Sequence, residues 1–279
     1  MPPAPPIVTL PLFAELDRLL LEVLRSLTPA DWHRPTLARE WTVRDVAAHL
    51  LDGNLRTLSM LRDGYFNSAP ADTSHAGIVA YLNQLNADWV RAARRFSPAV
   101  LVELLAQSGA EYTAYLHTLD PWAPAVFAVG WAGESTSANW FHIARDYTGK
   151  WHHQQQIRAA VDQTAPLLEP VLFRPFIETM LRGLPHAYRA VAAPAGTVVQ
   201  VGIGGEGGGA WQLVRAADAW QLRPADPVGP LAAEITLPPE VAWRLFTKGM
   251  SPAEARPLVR VAGDNRLAEA VLQLVAVMA

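Results

Sequence analysis

Residues 41–64, WTVRDVAAHLLDGNLRTLSMLRDG, hold the start, the buried face and the stop of an α-helix in one run. Thr42 is placed to cap the first turn, and Asp45, three residues on, completes a variant of the capping box. Trp41 and Val46 flank the cap as a hydrophobic staple does. Val43, Val46, Ala47, Leu50, Leu58 and Leu61 recur at helical spacing, and Gly64 is the expected stop. His49 sits about 60° around the helix from Val46, at the edge of that apolar stripe.

The helical period extends over the first two-thirds of the chain. Upstream, Phe13, Leu16, Leu19, Leu20, Val23, Leu24 and Leu27 mark one helix before the breaker TPADWHRPT. Helices are expected over residues 75–96, 98–118 (opened by Pro98), 138–161 and 169–182. The Pro/Gly/Trp-rich run LDPWAPAVFAVGWAGESTSA, residues 119–138, is a long connection of the kind that often shapes a site. After residue 185 the period changes. TVVQVGIGG, GAWQLVRA, AWQLRPA and AAEITLP read as short strands, followed by helices over 239–249 and 266–279. The chain is therefore read as mainly α: a helical bundle over 1–184, then a small α+β domain over 185–279.

Composition narrows the function. Of 279 residues, 51% are hydrophobic and 18% charged, which is the balance of a globular chain. The net charge of −3 comes without a dense basic run, so neither nucleic acid nor an anionic membrane is an expected partner. There is no cysteine, so any metal must be held by His, Asp or Glu, and any catalytic thiol must be brought by a cofactor. The opening MPPAPPIVTLPLF lacks the pattern of a signal peptide and no apolar run is long enough to span a bilayer; a cytoplasmic protein is expected. GIGGEG, Gly202–Gly207, fits G-x-G-x-x-G, but a strand-like run follows instead of a helix, so a glycine-rich hairpin is expected there.

A second stretch, DYTGKWHHQQQIR at 146–158, raises the question of chemistry. His142, Asp146, Gly149, His153 and Ile157 share one stripe of the expected helix, beside an apolar stripe of Trp140, Ala144, Tyr147 and Trp151. Helical metal sites pair ligands at i and i+4 because the side chains converge. Here position 149, four before His153, has no side chain. His49 and His153 on facing helices are thus either ligands or packing histidines at a core edge. Trp131, Trp140 and Trp151 are placed to border a pocket.

EWTVRDVAAHL together with NWFHIARDYTGKWHHQQQIR resembles the N-terminal domain of mycothiol-dependent maleylpyruvate isomerase, within the DinB/YfiT-like superfamily of four-helix-bundle metalloproteins. The likeness rests on W-[ST]-V-x-D-x-x-x-H at Trp41–His49 and W-x-H-x-Q-x-I at Trp151–Ile157. WQLVRAADAWQL and VAGDNRLAEAVLQLV are similar to that family's sterol-carrier-like second domain. The resemblance implies a DinB-like four-helix bundle and a divalent metal, zinc or nickel. His49 and His153 would be ligands, with the middle ligand falling on Gly149. Asp146 is some 10.5 Å along the axis from His153, too far to replace it; His152 points elsewhere, and Glu134 could approach only from the connection.

The activity implied is a metal- and low-molecular-weight-thiol-dependent isomerase or S-transferase with an altered metal site, acting on a small-molecule electrophile. Arg56 and Arg158 would bind carboxylates of the substrate or thiol, or else form ordinary ion pairs. The alternative is a non-enzymatic binding protein whose lapsed metal site holds a small apolar ligand or a partner. Apolar bundle faces such as that of 75–96 leave a homodimer open.

Overall fold

The computed structural model describes residues 5–226 and 229–277. Its main elements are α1 (Phe13–Ser26), α2 (Val43–Thr57), α3 (His75–Ala93), α4 (Pro98–Leu116), α5 (Asn139–Ala160), α6 (Ala165–Leu168), α7 (Pro170–Leu181) and α8 (Leu184–Ala187). Then follow β1 (Val198–Ile203), β2 (Gly209–Arg215), β3 (Trp220–Pro224), β4 (Ala233–Leu237), α9 (Pro239–Phe246), α10 (Pro252–Ala255), β5 (Arg260–Gly263) and α11 (Asn265–Glu269). A helical region followed by an α+β region is thus what the chain forms. Among the described residues no helix is long and apolar enough to cross a membrane.

The chain forms two compact units. One comprises residues 9–126 and 149–166, the other 127–148 and 167–277 with the N-terminal segment. Helix α5 therefore gives its first ten residues to one unit and the rest to the other.

In the first unit α2 packs on α3 and α4, and α1 on α4. The stripe read from α1 is buried as expected, Phe13, Leu16, Leu19, Leu20, Val23 and Leu24 all facing inward. Leu20, Val23, Leu24, Val43, Val46, Ala47, Leu50, Leu51, Leu101, Leu105 and Ile157 make one apolar core. The cap of α2 is a complete capping box: Thr42 accepts from the Asp45 N–H, and Asp45 Oδ2 accepts from the Thr42 N–H at 3.1 Å. Asp45 is buried and also accepts from Arg94 Nε and Nη2, both at 3.0 Å. The α2 hydrogen-bond ladder does not run unbroken to Gly64. It ends at Thr57 and passes into a π-type turn, Leu58–Arg62, before Gly64 takes a left-handed conformation (φ +69°).

In the second unit the sheet order is β3-β2-β1-β4-β5, with β1 and β4 parallel and the other pairs antiparallel. Val199, Val201 and Ile203 of β1, Leu213 of β2, and Ile235 and Leu237 of β4 are buried, alternating with polar neighbours such as Gln200 and Glu234. The GIGGEG run is the β1–β2 hairpin. Gly205 has φ +79°, and a Cβ at Gly208 would lie 2.1 Å from the Ile203 carbonyl oxygen.

Two readings at the C-terminal end change. Arg260–Gly263, not expected as a strand, pairs with β4 as the sheet edge. The helix expected over 266–279 is short: α11 ends at Glu269, a single 3-10 turn covers Ala270–Gln273, and the chain is then extended at Leu274. Met278 and Ala279, the end of that expected helix, lie outside the described residues.

Candidate functional site

The site is built in the first unit, where α2 and the second half of α5 face each other. His49 lies in the second turn of α2, positioned by the capping box at Thr42. His153 lies in the stretch of α5 that buries Trp151 and Ile157 in the core. Their rings meet edge to face with centroids 4.6 Å apart. Trp41, which packs on the core holding Val46, also lies against His49 at 4.8 Å between ring centroids, so the residue before the cap walls one side of the pair. His152 is buried and tilted against His153 at 3.9 Å.

Both rings are half-buried, and both are held neutral. Burial pushes His49 well below the ordinary imidazole value, helped by the neighbouring His153 and the Arg56 charge. Burial lowers His153 to about 4, opposed by its hydrogen bond to Gln156. His49 Nδ1 is buried with no hydrogen-bond partner among the described residues. A buried imidazole nitrogen without a partner is the kind of atom a bound group normally satisfies.

Arg56 lies two turns beyond His49 on α2. Its Nη2 donates to Asn86 Oδ1 of α3 at 3.1 Å, and its Nε sits 3.0 Å from Asp52 Oδ2. Trp89 of α3 donates from Nε1 to the Ala48 carbonyl at 2.8 Å, tying that helix to α2 beside His49. Arg158 is used differently. It is buried, donating to the Leu19 carbonyl at 2.8 Å and the Gln163 carbonyl at 3.2 Å, so its guanidinium ties α5 to α1 and to the turn after α5. Burial lowers its proton affinity as well.

Of the residues weighed as third donors, His152 lies against His153 rather than pointing elsewhere, while Asp146 and Glu134 are engaged away from the pair. Asp146 accepts from Arg145 Nη2 at 2.9 Å and lies 3.5 Å from His142 Nε2, within the second unit. Glu134 accepts from Ser137 Oγ, which in turn holds the Val129 N–H. Trp131 and Trp140 pack with Phe141 and Val129 in the second unit, and Trp151 is fully buried. At Gly149 a Cβ would meet nothing within 4 Å, so no helix crossing demands the glycine.

A family model described as the mycothiol maleylpyruvate isomerase N-terminal domain matches residues 13–158, just over half of the chain. The chain belongs to that family. Among solved structures it is similar to a form of the mycothiol-dependent maleylpyruvate isomerase in which one histidine is replaced by alanine. Identity is 13% and the TM-score 0.50, over 91% of this chain and 93% of that one. The unsubstituted enzyme gives 14% identity and a TM-score of 0.48, over 87% and 90%. No curated protein matches the chain.

Within the mycothiol maleylpyruvate isomerase N-terminal domain family, the metal implied by resemblance has to be tested against this chain's donors. His49 and His153 are neutral, as ligands must be. No group of three His, Cys, Asp or Glu side chains suited to an ion occurs among the described residues, and Gly149 offers no donor. The donor set does not fit a three-ligand centre. Two further polar groups at this member's site escaped the sequence reading. Asp52 of α2, buried and pushed up to about 6 by that burial, lies 3.0 Å from Arg56. Gln156 contacts His153 directly. The i, i+3 spacing from His49 to Asp52 and from His153 to Gln156 was the available signal.

Proposed function

We propose that this chain is a low-molecular-weight-thiol-dependent isomerase or S-transferase whose metal site is altered at Gly149. The observation that carries the reading is the pair of neutral imidazoles, His49 and His153, held edge to face at 4.6 Å in a member of this family. Mycothiol, the thiol named for the similar enzyme, is the first candidate. The partner is a small electrophile, with Arg56 placed to attract its carboxylate. In such a reaction the sulfur bonds to an electrophilic carbon and the thiol proton ends on the neighbouring carbon. Rotation about the former double bond and loss of the thiol complete an isomerisation.

A divalent ion, zinc or nickel, would find only two imidazoles from this chain, His49 and His153. The same reading takes the protein to be cytoplasmic, and residues 185–279 to be a sterol-carrier-like module after a bundle module ending at 184. A homodimer through the 75–96 helix belongs to it as well. The second reading is a binding protein that keeps a lapsed metal site. Gly149 favours it, because a donor there would have had room and none is present.

Metal content and zinc or nickel affinity of untagged protein separate the two, measured beside Gly149→Glu and His153→Ala. Stoichiometric binding by the wild type, lost in His153→Ala, supports the enzyme reading. Turnover of maleylpyruvate with mycothiol then tests the activity directly. Binding by Gly149→Glu alone, with no thiol-dependent turnover by the wild type, would hand the lead to the binding protein.

A further inference from the structure

The run Gln154-Gln155-Gln156 turns three amides through successive steps of about 100° around α5. Two of them hold the scaffold. Gln155 Nε2 donates to the Thr164 carbonyl at 3.1 Å. With its amide turned to match its neighbours, Gln154 donates to the Leu16 carbonyl at 3.0 Å and accepts from the Leu20 N–H at 2.9 Å and Arg158 Nε at 3.2 Å. Gln156 returns to the face of His153, three residues before it, and its Oε1 lies 3.0 Å from His153 Nδ1. Gln156 is itself buried.

A carbonyl oxygen can only accept. With the Gln156 carbonyl turned to the ring, the hydrogen in that contact is on Nδ1, and a neutral ring then carries an unprotonated Nε2. We propose that Gln156 is a positioning residue that fixes His153 in the Nδ1–H tautomer and leaves Nε2 as the lone-pair nitrogen of the site. The consequence for binding rests on the thiol-dependent reading: the Nε2 lone pair accepts the S–H of the incoming thiol. The tautomer itself does not depend on that reading. Partners of this kind orient an imidazole and set which nitrogen is offered, and losing one typically costs tenfold or more.

Proton–nitrogen correlation NMR on the full chain reads the tautomer, with His153 identified by its loss in His153→Gln. The wild type is expected to show Nδ1–H and a bare Nε2. Gln156→Met, which keeps the bulk and removes the acceptor, shifts the ring to a tautomer mixture, and Gln156→Glu restores Nδ1–H. Hydrogen on Nε2 in the wild type, or an unchanged ring in Gln156→Met, overturns the proposal. Mycothiol affinity measured on the same three proteins is expected to fall about tenfold in Gln156→Met and to recover in Gln156→Glu. Equal affinity in all three would reject the positioning role at the site. The expected tautomers with no mycothiol binding by the wild type would instead sink the thiol reading and leave the assignment of His153 standing.

Discussion

Gly149 shows how a single position can be weighed without knowing what binds. A glycine inside α5 costs about 1 kcal/mol relative to alanine. Since a Cβ there meets no atom within 4 Å, Gly149→Ala is expected to stabilise the protein by about 0.5–1 kcal/mol in urea unfolding. A loss of stability would mean that an unseen neighbour needs the gap. The two histidines add a pH dependence with a definite sign. In the fold both bind protons more weakly than an unfolded histidine near 6.5, so the unfolded chain takes up more protons on acidification. Their contribution is complete above that value and is lost as pH falls through the folded value, about 4 for His153. His153→Gln should flatten this acid limb by on the order of 2 kcal/mol, because the ring is only half-buried. Asp52 works in the opposite sense. Raised to about 6, its contribution is present in acid and lost as pH rises through 6, so Asp52→Asn should improve relative stability above pH 6. Identical pH profiles for wild type and both variants would refute the assignment.

At the scale of an element, α2 depends on its first turn. Asp45 closes the capping box and pairs with Arg94 from the end of α3, so one carboxylate fixes both the start of α2 and its packing on a neighbour. Burial opposes its ionisation. The Arg94 hydrogen bonds and the Thr42 N–H outweigh that, and the carboxyl stays below its ordinary value. Asp45→Ala should cost about 2 kcal/mol, the sum of a lost cap and a broken charge pair, seen as a lower urea midpoint with an unchanged slope. Because His49 follows in the next turn, the same variant should also loosen the Trp41–His49 contact. A variant within error of wild type would show that core packing alone sets the start of α2.

The whole molecule is divided differently by period and by compaction. The switch to strand-like sequence near residue 185 falls inside the second unit, which also gathers residues 127–148 and 167–184. Within that unit Arg174 donates to the Gly208 carbonyl and lies over Trp211, while Tyr188 donates to the Leu267 carbonyl. A fragment ending at Leu184 would strip α7 of the β1–β2 hairpin. Each large apolar side chain uncovered costs about 2 kcal/mol, so the fragment should aggregate or unfold well below the full chain on heating. A fragment as stable as the whole would show that the bundle module is self-sufficient.

What could be read along the chain was local. The periods of α1, α2, α4 and α5, the cap at Thr42, the glycine hairpin and the change from helix to sheet depend on neighbours within a few residues, and those neighbours are written in order. The edge strand Arg260–Gly263 and the early end of α11 were not legible, because four residues carry almost no period and the sheet partner lies far away in sequence. The site divides in the same way. The motifs and the missing donor at Gly149 stood in the sequence by themselves. That His49 and His153 meet at 4.6 Å and that Arg158 serves the scaffold was settled only by folding. Burial and ring contact arise between residues about a hundred positions apart, and only packing brings those together.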